Sequence, residues 1–149
     1  MTILMVDDLS GIRLMLETIL NDAGYPDVIS VDSAQQDFDH LYMDEPSSEA
    51  TNIDLILLDI SMPEIDGVEA CRTIKASPNF KDVPIIMVTG LAHSHDLKAA
   101  FAAGAVDYIT KPPNMVEMLA RVQSTVISKQ EVDRRKSSYV SNLEAKIKN

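Results

Sequence analysis

Short apolar runs alternate with longer amphipathic stretches along the first 128 residues of the chain. The runs are rich in β-branched and aliphatic residues, and several are apolar at consecutive positions, which is typical of strands covered on both faces. The pattern predicts five strands, at Thr2–Val6, Val28–Val31, Leu55–Leu58, Val83–Val88 and Val106–Ile109. It also predicts helices at about residues 10–22, 34–43, 66–76 and 94–103, and a fifth helix that begins near residue 115.

Turn and capping residues support these helix boundaries. Gly24 follows the first predicted helix and Gly104 closes the fourth, as is common at helix ends. Ser33 is placed to cap the second helix, and Asn114 with Glu117 resembles a capping box at the start of the last. Five β-α units in succession predict an α/β fold, a doubly wound parallel sheet with helices on both faces.

Composition and charge narrow the class of protein. The chain has 149 residues, 46% of them hydrophobic, which predicts one globular domain, and Cys71 is the only cysteine, so no internal disulfide is possible. A net charge of −10 argues against direct binding to nucleic acid or anionic membrane. No apolar run approaches the ~20 residues that span a bilayer. No basic segment precedes the first apolar run, so we expect no signal peptide and a cytoplasmic location.

Chemically active side chains stand at the ends of four predicted strands. The first strand is followed by Asp7 and Asp8, the third by Asp59, the fourth by Thr89 and the fifth by Thr110 and Lys111. Because the carboxyl ends of parallel strands open on one edge of a sheet, we expect these side chains to converge there. Three converging carboxylates repel one another unless a cation lies among them, and oxygen-only ligands favour Mg²⁺ over Zn²⁺. With a lysine and a hydroxyl nearby, they predict a phosphoryl-binding site.

The motifs around these residues resemble the receiver domain of two-component response regulators. The resemblance covers residues 2 to about 127 and is carried by four fragments in order: Ile3-Leu4-Met5-Val6-Asp7-Asp8, Asp54 to Pro63 with Asp66-Gly67, Thr89-Gly90, and Gly104 to Pro112. It implies a flavodoxin-like sheet with strand order 2-1-3-4-5 and five helices. Residues 1–128 would then form the receiver domain, and residues 129–149 a helical C-terminal extension.

The resemblance also implies a role for each site residue. Asp59 would be the phosphoacceptor, receiving its phosphoryl group from a sensor histidine kinase or a histidine phosphotransfer protein. Asp8 would bind Mg²⁺ directly and Asp7 through water, with Asp59 and the backbone carbonyl of Ser61 completing the protein's ligands. Lys111 would bind a phosphoryl oxygen, and the Lys111–Pro112 peptide bond would be cis.

Two further pairs of residues would govern the response. Thr89 and Tyr108 resemble the switch pair, in which the threonine hydroxyl bonds the new phosphoryl oxygen and the aromatic ring fills the vacated space. Ser61 and Leu91 flank the path of an attacking water and would tune the lifetime of the acyl phosphate. Because the Leu91 side chain cannot orient water, we expect slow self-dephosphorylation.

Two other classes of protein remain as alternatives. A phosphohydrolase with an aspartyl nucleophile, of the haloacid-dehalogenase kind, would place a second carboxylate two residues after the nucleophile, where this chain has Ser61. A degenerate receiver that serves only as a scaffold would not need the intact acidic pair, Asp7 and Asp8, nor the intact set of Asp59, Thr89 and Lys111. The residues favour a regulatory phosphoacceptor and not a turnover enzyme.

The last 21 residues differ in charge from the rest, with six basic and three acidic side chains. From Met115 onward there is neither glycine nor proline, so one long helix is possible. An imperfect a/d pattern is formed by five apolar residues: Val132, Tyr139, Val140, Leu143 and Ile147. Two interpretations stay open, a solvated tail and a coiled-coil helix that makes a homodimer and leads into an output module.

Overall fold

Five strands and four helices are present in the described part of the chain. The computed structural model describes residues 1–32, 53–60, 66–78, 80–90 and 94–148. The strands are β1 (Thr2–Val6), β2 (Asp27–Val31), β3 (Ile53–Asp59), β4 (Ile85–Thr89) and β5 (Asp107–Thr110). The helices are α1 (Ser10–Asp22), α2 (Gly67–Ala76), α3 (Ser94–Ala103) and α4 (Met115–Lys148). The predicted helix at residues 34–43 and its cap Ser33 lie outside the described residues, so four of the five expected helices are seen.

The strands form one parallel sheet in the order β2-β1-β3-β4-β5. This is the flavodoxin-like order, and the predicted fold class is confirmed. The two strands that carry the predicted acidic residues, β1 and β3, are neighbours at the centre of the sheet, and Val6 pairs with Leu58. Strand β5 is an edge strand, and Thr110 at its end pairs with Thr89 of β4. The carboxyl ends of β1, β3, β4 and β5 therefore meet at one edge of the sheet.

The sheet is buried on both faces, which explains the consecutive apolar residues of the strands. In β3, Leu55 and Leu57 pack in one core with Leu16 of α1 and Val122 of α4. The alternate residues of β3, Ile56 and Leu58, enter a second core on the other face. Apolar side chains of α2 and α3 pack against them there, among them Val68, Cys71, Ile74 and Ala100. Because side chains alternate across a strand, each central strand must be apolar at every position to fill both cores.

Most element boundaries agree with the prediction, and the differences have local causes. The predicted start of the fourth strand at Val83 is wrong, because the Val83 N–H donates to the Phe80 carbonyl in a turn (3.0 Å) and Pro84 has no N–H to donate. Gly24 and Gly104 have φ of 99° and 118°, so both helix ends use the left-handed conformation that glycine allows.

Helix α4 continues far beyond its last buried residue, Val126. Its N-cap is the predicted one, since Asn114 Oδ1 accepts the N–H of Glu117 at 3.1 Å. The helix has 34 residues and is about 51 Å long at 1.5 Å per residue. Its buried side chains are Met118, Val122 and Val126, and every described side chain from Val132 to Lys146 is exposed. The helix crosses the predicted domain boundary at residues 128 and 129 without a break. Among the described residues, no helix is both long and apolar enough to cross a bilayer.

Candidate functional site

Three aspartates meet where β1 and β3 end. Asp7 and Asp8 follow β1 directly, and Asp59 is the last residue of β3. One carboxylate oxygen from each lies within 4.8 Å of the other two. Asp7 and Asp59 are only 1% and 2% exposed, and Asp8 is partly exposed. The convergence predicted from the strand ends is therefore present, in a pocket that shields two of the three carboxylates from water.

Backbone hydrogen bonds hold Asp7 in a fixed orientation. Its N–H donates to the Val31 carbonyl of β2 (3.2 Å), and its own carbonyl accepts from Arg13 Nη1 (2.5 Å). Asp7 Oδ1 accepts the N–H of Leu9 at 2.9 Å, where the chain turns into α1. The other oxygen, Oδ2, is thereby directed to the interior of the acidic cluster, toward Lys111.

Lys111 places one ammonium group against the cluster. Its Nζ lies 3.0 Å from Asp59 Oδ1 and 3.1 Å from Asp7 Oδ2. Burial on its own lowers the pKa of Lys111, but the hydrogen bonds that its ammonium donates to Asp59 and Asp7, and their negative charges, outweigh that effect and leave the pKa above its ordinary value. The Lys111 N–H donates to the Thr89 carbonyl at 2.7 Å, and the Lys111–Pro112 peptide bond is cis.

The donor set fits a divalent cation of the magnesium type. One ammonium group cannot balance three ionised carboxylates, whereas a dication together with Lys111 would. Among the described residues, the ligand atoms that this cluster offers are carboxylate oxygens, and the partly exposed Asp8 leaves room for bound water. Mg²⁺ prefers one or two carboxylates with several retained waters, and this arrangement can supply them.

The predicted switch residues lie on one face of the sheet. Tyr108 pairs with Met87 and Thr110 pairs with Thr89, so the side chains of Tyr108 and Thr89 point to the same side of neighbouring strands. Thr89 is 2% exposed, and its hydroxyl donates to the Gly90 carbonyl at 3.0 Å. Tyr108 is half-buried, at the edge strand.

The surroundings of Tyr108 were not predicted from the sequence. Its ring meets Phe101 of α3 edge-on, with centroids 6.4 Å apart, and Arg121 Cζ of α4 lies 4.7 Å from the ring centroid. The four-residue spacing of Glu117 and Arg121 indicates their ion pair, but no sequence signal joins either residue to Tyr108. Two of the predicted site residues, Ser61 and Leu91, lie outside the described residues, so their roles stay predictions.

A family model described as the response regulator receiver domain matches residues 3–123 of this chain. The chain belongs to the receiver domain family. Members of this family are regulatory phosphoacceptors of two-component systems, and receiver domains bind Mg²⁺ at an acidic pocket. They interact with histidine kinases or phosphotransfer proteins.

Two longer relatives share the receiver sequence. Transcriptional regulatory protein YvrH of Bacillus subtilis (strain 168) is 36% identical over 123 residues, which are 83% of this chain and 48% of that protein. Cyclic di-GMP phosphodiesterase response regulator RpfG of Xanthomonas campestris pv. campestris (strain 8004) is 30% identical over 141 residues, or 95% of this chain and 36% of that protein. The chain thus spans about half of the first relative and about a third of the second.

Solved receiver structures have the same fold. The signal receiver domain of a signal transduction histidine kinase from Syntrophus aciditrophicus superposes with a TM-score of 0.70 at 31% identity, covering 85% of this chain and 90% of that one. Chemotaxis protein CheY4 of Vibrio cholerae gives a TM-score of 0.70 at 27% identity, covering 83% of this chain and 97% of that one. Both matches leave out part of this chain.

Proposed function

We propose that Asp59 accepts a phosphoryl group from a phosphohistidine on a sensor kinase or phosphotransfer protein. The observation that carries the proposal is the buried Asp59 carboxylate, with one ammonium 3.0 Å away and two further carboxylates within 4.8 Å. An oxygen of Asp59 attacks phosphorus, the P–N bond to the imidazole breaks, and the leaving imidazole retains the electron pair and takes up a proton. Positioning and charge neutralisation are most of what such a transfer requires.

The residues around Asp59 would balance the negative charge of the phosphoryl group. Lys111 holds a phosphoryl oxygen, and its raised pKa keeps the ammonium charged through the neutral range. Asp7, Asp8 and Asp59, with the backbone carbonyl of Ser61, would hold Mg²⁺, which when bound neutralises charge on the phosphoryl oxygens. Leu91 cannot orient an attacking water, so we expect the acyl phosphate to be lost slowly.

Acetyl phosphate tests this proposal against the phosphohydrolase alternative. With Mg²⁺ present, we expect intact-protein mass spectrometry to show one added phosphoryl group per chain, labile to hydroxylamine, and none when EDTA is added. Mg²⁺ alone should stabilise the fold by about 1.4 kcal/mol at ten times its Kd, which a thermal melt detects. Sustained turnover of p-nitrophenyl phosphate, or labelling by acetyl phosphate that is unchanged by EDTA, would contradict the proposal.

Phosphorylation would be transmitted through Thr89 and Tyr108. The Thr89 hydroxyl, which now donates to the Gly90 carbonyl at 3.0 Å, would rotate to the phosphoryl oxygen. Because Tyr108 lies on the same face of the next strand, its ring can move into the space that the threonine leaves. The affected surface is formed by α3, β5 and the first turns of α4, and it would be the surface that a partner recognises.

The exposed part of α4 would make a homodimer and connect the receiver to an output module. Val132, Tyr139 and Leu143, which we call the tail stripe, are spaced seven and four residues apart and therefore lie along one side of the helix. They are 46%, 65% and 42% exposed in the single chain. The match to the Xanthomonas protein covers 95% of this chain and so includes most of this segment. The net charge of −10 supports a role other than direct contact with nucleic acid.

Charging the tail stripe tests the dimer. In the full chain, Leu143→Lys should weaken self-association at least about thirtyfold, since a lysine in a packed seam costs about 2 kcal/mol or more. Sedimentation equilibrium of residues 1–149 and 1–128, with and without beryllofluoride, measures the mass. Ser138→Lys, on the opposite side of the same helix, is the matched control. The same number of chains per particle for the parent chain, Leu143→Lys and the 1–128 fragment would exclude a tail-driven dimer.

A further inference from the structure

The ring of Tyr108 is contacted from both layers of helices. Phe101 belongs to α3, which packs on the same face of the sheet as Tyr108 itself. Arg121 belongs to α4, whose buried residues pack on the opposite face, and its guanidinium carbon lies 4.7 Å from the ring centroid. The two layers can meet at this ring only because β5 is an edge strand. The ring therefore lies at the open edge of the sheet, and the Arg121 side chain passes around β5 to contact it.

Arg121 is anchored while it contacts the ring. Its Nη1 lies 2.6 Å from Asp107 Oδ1, and its Nε lies 3.3 Å from Glu117 Oε1. The same Asp107 oxygen accepts the backbone N–H of Tyr108 at 2.8 Å, so backbone and ring are linked to one charged group. Burial lowers the pKa of Arg121, but attraction to Asp107 and the hydrogen bond to Glu117 outweigh it and leave the pKa raised, so the guanidinium stays charged.

We propose that Arg121 is a positioning residue that holds the Tyr108 ring at the sheet edge in the unphosphorylated receiver. The inference rests on the proposed switch role of Thr89 and Tyr108. To move toward Thr89, the ring must leave the guanidinium, so the contact favours the resting conformation. Any contact made only in the resting state weakens binding of a ligand that selects the other state by the same factor. Arg121 thereby sets how readily phosphorylation switches the domain.

The effect of removing the contact between Arg121 and Tyr108 can be estimated as a change in the equilibrium between the two conformations. A cation–π contact at a partly exposed site corresponds to about a three- to tenfold change in the conformational equilibrium. Arg121→Ala should therefore bind the phosphoryl mimic beryllofluoride about three- to tenfold more tightly than the parent chain. Arg121→Lys keeps a charge near the ring but cannot bridge two carboxylates, so it should fall between the two.

Fluorine NMR on 3-fluorotyrosine-labelled protein reports the surroundings of the Tyr108 ring through its chemical shift. The chain has four tyrosines, and Tyr108→Phe identifies the signal to follow. Arg121→Ala should move the Tyr108 signal toward its beryllofluoride-bound position before any mimic is added, with Arg121→Lys moving it less. The matched control is Arg134→Ala on the same helix, which loses ion pairs to Glu131 far from the ring and should leave signal and affinity unchanged.

The outcomes separate this inference from the proposed function. The proposed function fails if the parent chain does not bind beryllofluoride in the presence of Mg²⁺. It also fails if the Asp59→Asn variant binds beryllofluoride as tightly as the parent chain does. If the parent binds and Arg121→Ala shows the parental Tyr108 signal and affinity, Arg121 has no positioning role and the inference is overturned. Thermal melts confirm that each variant is folded, which we expect because the Arg121 side chain is 31% exposed.

Discussion

Replacing Asp59 with asparagine is expected to abolish phosphoryl labelling by acetyl phosphate or by a phosphorylated partner. The substitution keeps the shape of the side chain but removes the nucleophilic carboxylate oxygen, and the neutral amide cannot form the acyl phosphate. Asp59 is the proposed acceptor, and its neighbours Asp7 and Asp8 are proposed metal ligands, so we expect no other carboxylate of the cluster to take over efficiently. Intact-protein mass spectrometry in the presence of Mg²⁺ measures the result.

Asp54→Asn supplies a matched control on the same strand. Asp54 lies near the start of β3, where its Oδ2 accepts the N–H of Thr2 at 2.8 Å, far from the acidic cluster. This variant should label like the parent chain, because asparagine retains an acceptor for that hydrogen bond. Labelling of Asp59→Asn at the parental level, with Asp54→Asn also labelled, would show that the acceptor is another residue.

The convergence of the site residues was predictable because it follows from topology. In a parallel sheet every strand ends at the same edge, so Asp7, Asp59 and Lys111 could be placed together once their strands were recognised. The sequence pattern also located the four described helices, since Gly24 and Asn114 mark an end and a start that depend on local backbone chemistry. Local signals of this kind require no knowledge of how the layers pack.

The contacts around Tyr108 were not predictable, because they depend on how two helices approach an edge strand from opposite faces. Arg121 lies 13 residues after Tyr108 in the chain, and no periodicity brings the two side chains together. The apolar pattern of α4 indicates which side faces the core, but the reach of a flanking arginine depends on the crossing of the helix and the sheet. Such contacts appear only in the packed structure.

Gly67 is a second feature whose reason is visible only in three dimensions. The sequence places it in the Asp66-Gly67 pair, at the start of α2, where Asp66 caps the helix by accepting the N–H of Val68 at 2.9 Å. Its φ is not positive, so the glycine is not required by backbone conformation. The requirement is space, because the Gly67 N–H donates to the Ile60 carbonyl at 2.9 Å and brings the helix against the backbone that follows Asp59.

Gly67→Ala should therefore both destabilise the domain and impair phosphorylation. A Cβ at this position would lie 2.2 Å from the Asp59 carbonyl oxygen and 2.6 Å from Ile60 Cα, and these backbone atoms cannot rotate away. We expect a loss of about 3 kcal/mol in the free energy of unfolding, at the upper end of overpacking effects. Because either α2 or the backbone of Asp59 must shift, the folded fraction should label more slowly with acetyl phosphate.

Gly11→Ala is the control that separates a steric effect from the general effect of adding a methyl group. Gly11 lies in the first turn of α1, and a Cβ there has no heavy atom within 4 Å. Alanine favours the helix more than glycine, so this variant should be as stable as the parent chain or more stable by up to about 1 kcal/mol. Urea unfolding measures both variants. A Gly67→Ala chain with parental stability and labelling rate would mean that α2 can withdraw from β3 without cost, and that its packing does not position Asp59.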